Sequence, residues 1–215
     1  MSRLLDLLFP SRCCLCGGIL PRREEFCDKC GRWLAAKETE KKKIRFADAC
    51  VAPLPYEEPL RSAFHRFKFQ GRAFYARVFA PLLAACIRRE LEGRFDLIAW
   101  VPISRRRKRR RGYDQTELLC RQTAILLERT PVPCLRKIRD NPPQSRLRNA
   151  AERRANVSGA YRPEHPERFS GKRILLVDDV VTTGATMEEC ARVLLTAGAK
   201  SVVSASLAST IERER

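Results

Sequence analysis

The chain has 215 residues, 43 of them Lys or Arg against 25 Asp or Glu, for a net charge of +18. Hydrophobic residues make up 44%, enough for one α/β domain with a small appendage, which excludes a disordered polycation. A field of this sign attracts polyanions: nucleic acid, pyrophosphate, phosphorylated small molecules or an anionic membrane surface. The opening MSRLLDLLFP holds a short apolar run broken by Asp6 and lacks a cleavage-site pattern, and no later run reaches spanning length. A cytoplasmic protein is expected, without a membrane span and at most peripheral at the inner face of the membrane.

The first feature along the chain is a pair of knuckles, Cys13-x2-Cys16-Gly17 and Cys27-x2-Cys30-Gly31, with ten residues between them. Each pair wraps two thiolates around one ion and each glycine permits a tight turn, so together they predict a tetrahedral all-thiolate site. Zinc is expected; iron in the same sulfur cage and a redox dithiol are the alternatives. With every position filled by protein, the ion would be structural. Cys14 would form a poorer knuckle with Cys16, and Cys50, Cys86, Cys120, Cys134 and Cys190 read as buried lone cysteines. The knuckles set off a zinc-ribbon region at 1–48 from a larger domain at 49–215.

From Tyr56 onward the aromatics Phe64, Phe67, Phe69, Phe74 and Tyr75 interleave with His65, Arg66, Lys68, Arg72 and Arg77. That pattern suits base stacking on a single strand. The helical spacing of Phe64, Phe67 and Phe74 favours a core instead, with the cations outside. Phe95 to Ile103, FDLIAWVPI, predicts an inner strand, and Ser104 precedes seven consecutive cations, Arg105 to Arg111. These are expected as a basic loop facing pyrophosphate or a phosphodiester backbone; a solvated run without ligand is the alternative. Gly112 to Gln115 leads into a helix that draws on Leu118, Leu119, Ala124, Leu126 and Leu127 for its buried side. Asn141 to Tyr161 opens on a Pro-Pro break and carries Arg146, Arg148, Arg153 and Arg154. It reads either as a mobile arm closing over a site or as an exposed helix.

Ile174 to Thr186, ILLVDDVVTTGAT, is the most informative stretch. Ile174 to Val177 show no alternation, as in a strand covered on both faces. Ligands of parallel sheets bind beyond the carboxyl ends of strands, where Asp178 and Asp179 can accept hydrogen bonds from vicinal sugar hydroxyls. Thr182, Thr183, Gly184, Ala185 and Thr186 then offer hydroxyls, backbone amides and a helix start suited to a phosphate. The helix continues with Met187, Cys190, Val193, Leu194 and Ala197 on one face, Gly198 stops it, and Val202 to Leu207 return as a strand.

These residues resemble the PRPP-binding motif of type I phosphoribosyltransferases, two acids followed by T-x-G-x-T-like spacing. VPIS…RRRGYDQ, PPQSRLR…ERRANVSGAY and ILLVDDVVTTGAT, preceded by the four cysteines and YEEPLRSAFHRFKFQGR, further resemble the ComF family. Its members are amidophosphoribosyltransferase-like, are similar to GntX, and in several cases serve DNA uptake in natural competence. The resemblance covers nearly the whole chain. It implies a doubly wound, mostly parallel α/β sheet of type I phosphoribosyltransferase kind with a small N-terminal four-cysteine zinc ribbon.

The resemblance also implies roles. Asp178 and Asp179 would hold the ribose hydroxyls as the catalytic acids. Val180, Thr182, Thr183, Gly184, Ala185 and Thr186 would complete the PRPP or nucleotide site, with Mg²⁺ arriving on PRPP if the chain turns it over. Arg105, Arg111, Gly112, Gln115, Arg148 and Arg153 would meet pyrophosphate or a DNA backbone. Single-stranded DNA and a DNA-uptake helicase or channel protein are the implied partners. An active transferase with an unknown nitrogen acceptor, and a zinc-dependent scaffold, are the alternative functions. The chain departs from the family twice. Glu38 to Phe46 stand where further cysteine pairs are common, so one zinc is expected, and Asp114 replaces the usual Asn of R-G-F-N-Q.

Overall fold

The computed structural model describes residues 10–21, 24–141 and 150–210. Its strands are β1 (Glu40–Lys41), β2 (Cys50–Ala52), β3 (Leu54–Pro55), β4 (Leu97–Trp100), β5 (Leu135–Lys137), β6 (Tyr161–Pro163), β7 (Arg173–Val181) and β8 (Ser201–Ser209). Its helices are α1 (Asp28–Ala35), α2 (Leu60–Phe69), α3 (Tyr75–Leu91), α4 (Arg105–Arg111), α5 (Gln115–Leu126), α6 (Ala150–Val157) and α7 (Ala185–Thr196). Six strands form one sheet in the order β1-β2-β8-β7-β4, with β3 also on β8, while β5 and β6 pair separately. Within the large sheet every pairing is parallel except β1 with β2.

The apolar runs in β4, β7 and β8 follow from helices on both faces. Successive side chains alternate between the two layers. Ile98, Trp100, Leu175, Val177 and Val203 join Phe64, Phe67, Phe79 and Leu83 of α2 and α3. Leu97, Ala99, Ile174, Leu176 and Val202 join Met187, Cys190 and Leu194 of α7 and Tyr161 of β6. The sheet is therefore doubly wound, as expected. Cys13, Leu15, Leu20 and Cys30 belong to the first of these cores, so the cysteine region packs onto the helical layer. Among the described residues no helix is long and apolar enough to cross a membrane.

Several expectations need adjustment. The strand carrying the acids runs on to Val181, because β8 supplies partners that far: Asp178 faces Ser206 and Val181 faces Ser209. The basic segment is a helix and not a loop. Ser104 caps it by accepting from the Arg107 amide at 3.3 Å, and Gly112 ends it at φ +82. Arginine is a good helix former, so two caps suffice to close the turns. In α5, Leu119 and Ala124 are buried as expected, but Leu126 is exposed and Cys120 and Thr123 take its place. Phe64 and Phe67 are core residues, whereas Phe74 lies past the reversal at Gly71 (φ +67) and is half exposed. The five lone cysteines are all buried.

Candidate functional site

The carboxyl ends of β4 and β7 open on a cavity of about 370 Å³, with Asp178 and Asp179 among its lining residues. Neighbours on a strand point to opposite faces, so the two acids serve different layers. Asp179 is buried on the α2 and α5 side: Gln115 Nε2 donates to its Oδ2 at 2.8 Å, and Lys68 Nζ lies 2.9 Å from the same oxygen. Asp178 accepts the Asp179 amide on Oδ1 at 2.7 Å. Burial, reinforced by the charge of Asp179, pushes its pKa up to about 8. Lys68 brings a positive charge to this pair of acids.

The loop expected from the sequence to meet a phosphate is shaped by its backbone. Gly184 stands at φ +83 immediately before α7, where a Cβ would come 2.4 Å from Ile44 Cδ1. Both the left-handed conformation and the close approach ask for glycine. The N-cap of α7 is Gly184 itself, which has no side chain to offer, and Gly184, Ala185 and Thr186 line the cavity, so the positive end of the helix dipole faces it. The Thr210 amide donates to Val181 O at 2.9 Å and its hydroxyl to Thr182 O at 3.2 Å, which fixes the loop's entry. Asp178, Asp179, Val180, Thr182, Thr183, Gly184, Ala185 and Thr186 all line this one cavity.

The basic residues divide. Arg111, Gln115 and Arg153 line the cradle cavity, together with Arg107 and Arg110. Arg111 Nη1 donates to Gln115 Oε1 at 2.7 Å, so the amide links a guanidinium to Asp179. Arg105 opens on a different cavity, Gly112 is the left-handed end of α4, and Arg148 lies outside the described residues. Lys68 was read as an outward cation. It sits four residues after the core residue Phe64, on the same helix face, and its ammonium lies 5.3 Å from that ring. That spacing was the available signal.

Cys13, Cys16, Cys27 and Cys30 bring their sulfurs within 4.8 Å of one another. A tetrahedral ion with bonds of about 2.3 Å sets sulfur ligands about 3.8 Å apart, and Cys16 and Cys27 stand 3.8 Å apart. The four residues fit one metal ion. Burial acts to raise the Cys13 thiol, but backbone contacts at Cys16, Cys27 and Leu15 outweigh it and bring the pKa down to about 7. Cys14 points into the core and burial pushes it up to about 11, outside the ligand set. Gly17 makes the expected turn at φ +79, whereas Gly31 lies inside α1 with open space around it. Arg66 of α2 fastens the first knuckle, donating to the carbonyls of Cys14 and Leu15 and, at 3.2 Å, to the Tyr75 hydroxyl.

Comparison with known proteins bears on the family. The phosphoribosyl transferase domain family matches residues 120–215. The DNA utilization protein YhgH of Escherichia coli O6:H1 (strain CFT073) is 34% identical over 178 residues, 80% of this chain and 74% of that protein. Competence protein F of Haemophilus influenzae is 33% identical over 156 residues, 68% of this chain and 66% of its own length. The chain belongs to the ComF family. Its sheet is of phosphoribosyltransferase kind, as the family match shows. The adenine phosphoribosyltransferase of Thermoanaerobacter pseudethanolicus is similar at a TM-score of 0.40 and 21% identity, over 66% of this chain and 83% of that one. This ComF chain carries Asp114 in its R-G-Y-D-Q stretch, and that carboxylate caps α5. It accepts from the amides of Thr116 (3.0 Å), Glu117 (3.1 Å) and Ile103 (3.0 Å) and is buried.

Proposed function

We propose that the cavity at the ends of β4 and β7 binds a 5′-phosphorylated ribose, as PRPP or a nucleotide, and that the protein handles single-stranded DNA in uptake or utilization. The observation that carries the first half is the convergence of both acids, the Thr/Gly loop and the N-terminus of α7 on one cavity. In this reading the phosphate takes the α7 amides and threonine hydroxyls. The sugar hydroxyls take Asp178 and Asp179. Both internal contacts to Asp179 fall on Oδ2, which leaves Oδ1 for the sugar. Arg107, Arg110 and Arg111 face the place of a pyrophosphate or a following phosphate, in a recess where fixed charges act with little screening. Mg²⁺ would arrive with PRPP, held mainly by substrate oxygens. Support for the second half is the charge of +18 and the relatives named for DNA utilization and competence.

Zinc is the ion we assign to the four thiolates, in a structural role, with 1–48 as its region and 49–215 as the ribose-phosphate domain. That region is also where an acceptor or a helicase or channel partner would be selected. The test is calorimetry with ribose 5-phosphate and Mg²⁺-PRPP on the wild type and on Asp178→Asn with Asp179→Asn. Loss of the carboxylate hydrogen bonds to the sugar predicts a fall in affinity of about 100-fold, with the circular dichroism spectrum and metal content unchanged. Equal affinity in the two proteins would refute the ribose role. Pyrophosphate release with one acceptor base would establish turnover as well.

A further inference from the structure

The seven cations of α4 do not make one surface. At 100° per residue, Arg107, Arg110 and Arg111 share a side and line the cradle cavity. Arg105 turns the other way, Arg106 stands at the edge between, and both line a second cavity of about 300 Å³, completed by Arg136, Lys137 and Arg139. Lys108 is engaged by Glu117 at 2.7 Å. The partition between the two cavities is thin: Lys137 lines both, and Ser104, which lines the outer one, caps the turn that carries Arg107.

The outer cavity gathers five cations and one carboxylate, Asp140. Asp140 is already engaged: it accepts the Ser104 hydroxyl and lies 3.6 Å from both Arg106 and Arg107. Arg105 and Arg136 are exposed, with no carboxylate partner among the described residues. The lining also holds Ile138, 42% exposed, an apolar surface that a base or sugar can cover and a bare oligophosphate cannot. A recess with cations on both walls suits a flexible backbone better than a rigid duplex.

We infer that this outer cavity is a second anion site, built for consecutive phosphates of a single-stranded nucleic acid and distinct from the ribose-phosphate cradle. It deepens the single-strand reading above and rests on it. Lys137, reachable from both cavities, lets one strand lay neighbouring phosphates on either side of α4.

The test uses the full chain and its Arg106→Ser, Arg136→Ser double variant, both changes being at exposed positions. Fluorescence anisotropy with a short oligothymidylate is measured across a salt series, and ribose 5-phosphate binding is measured by calorimetry. Each phosphate contact on a single strand contributes about 0.7 to the slope of log affinity against log salt. The double variant should therefore bind the strand more weakly, with a slope flatter by about 1.4, and bind ribose 5-phosphate as before. A wild-type chain that binds the strand while the variant keeps the same slope refutes this site alone. Parallel loss of ribose 5-phosphate binding shows that the two cavities are one site and overturns the inference. A wild-type chain that binds inorganic tripolyphosphate but not the oligonucleotide refutes the single-strand reading, and this site with it.

Discussion

Among the described residues the cysteine knuckle and the acid pair reach charge balance by opposite routes. In the cysteine knuckle four sulfurs crowd within 4.8 Å of one another, and once ionised they need a cation in their midst. At the acid pair the protein supplies its own compensation: Lys68 and Gln115 approach Asp179 from two helices, and Asp178 keeps a proton. Asp179 is thus internally paired and yet still lines an open cavity. The difference teaches which site depends on its guest. The knuckle should lose order when emptied, while the cradle should stand preformed and exchange its ligand.

The comparison breaks most visibly at the knuckle. Cys13→Ser with Cys30→Ser should abolish binding of one metal equivalent and melt the N-terminal region. In isolated structural sites metal binding is worth about 10 kcal/mol or more. Elemental analysis beside a thermal scan reads both, and an unchanged melting temperature without metal would place the two clusters in the same class.

Lys68→Met probes the other side. It strands Asp179 in a buried position with only Gln115 as donor, a loss of about 3 kcal/mol for one partner of such a pair. Urea unfolding of the two proteins reads the loss, and equal stability would show that Lys68 does not hold the acid. Gly184→Ala should cost about 1–2 kcal/mol through its left-handed backbone, with Ile44 yielding at the tip of its side chain. A neutral result would mean that the loop is free to rearrange.

Asp178→Asn sharpens the contrast by pH. The Asp178 pKa rises from an ordinary 3.8 to about 8 in the folded chain, so between those values the folded state holds a proton that the unfolded state has released. The stability this group contributes therefore falls as pH rises through that window. The amide removes the fall, so the variant's melting temperature should gain on the wild type by a few degrees between pH 5 and pH 8. A gain that is flat with pH would show that Asp178 is already ionised at pH 5.

Much of this was legible in the chain. The runs at Leu97–Trp100 and Ile174–Val177 announced strands covered on both faces, and Asp178 to Thr186 kept the order of acids, loop and helix that the cavity displays. The opposite orientation of the two acids follows from the period of two, once the strand is known to continue past Val177. What hid that continuation was the pairing with β8, a long-range contact. The helix at Arg105–Arg111 was masked by its charge, although Ser104 and Gly112 punctuate it openly. Lys68 was missed because its partner is a distant residue, which only the packing of α2 on the sheet brings within 2.9 Å.

Helix α2 has one more consequence. Residues two apart on a helix point about 200° apart, so Arg66 and Lys68 reach in opposite directions from one short rod. The first clasps the carbonyls of Cys14 and Leu15, and the second clasps Asp179. A tilt of that rod imposed at its sulfur-facing side would withdraw the ammonium from the acid on the other, so the seating of Asp179 is mechanically tied to the integrity of a site it never touches.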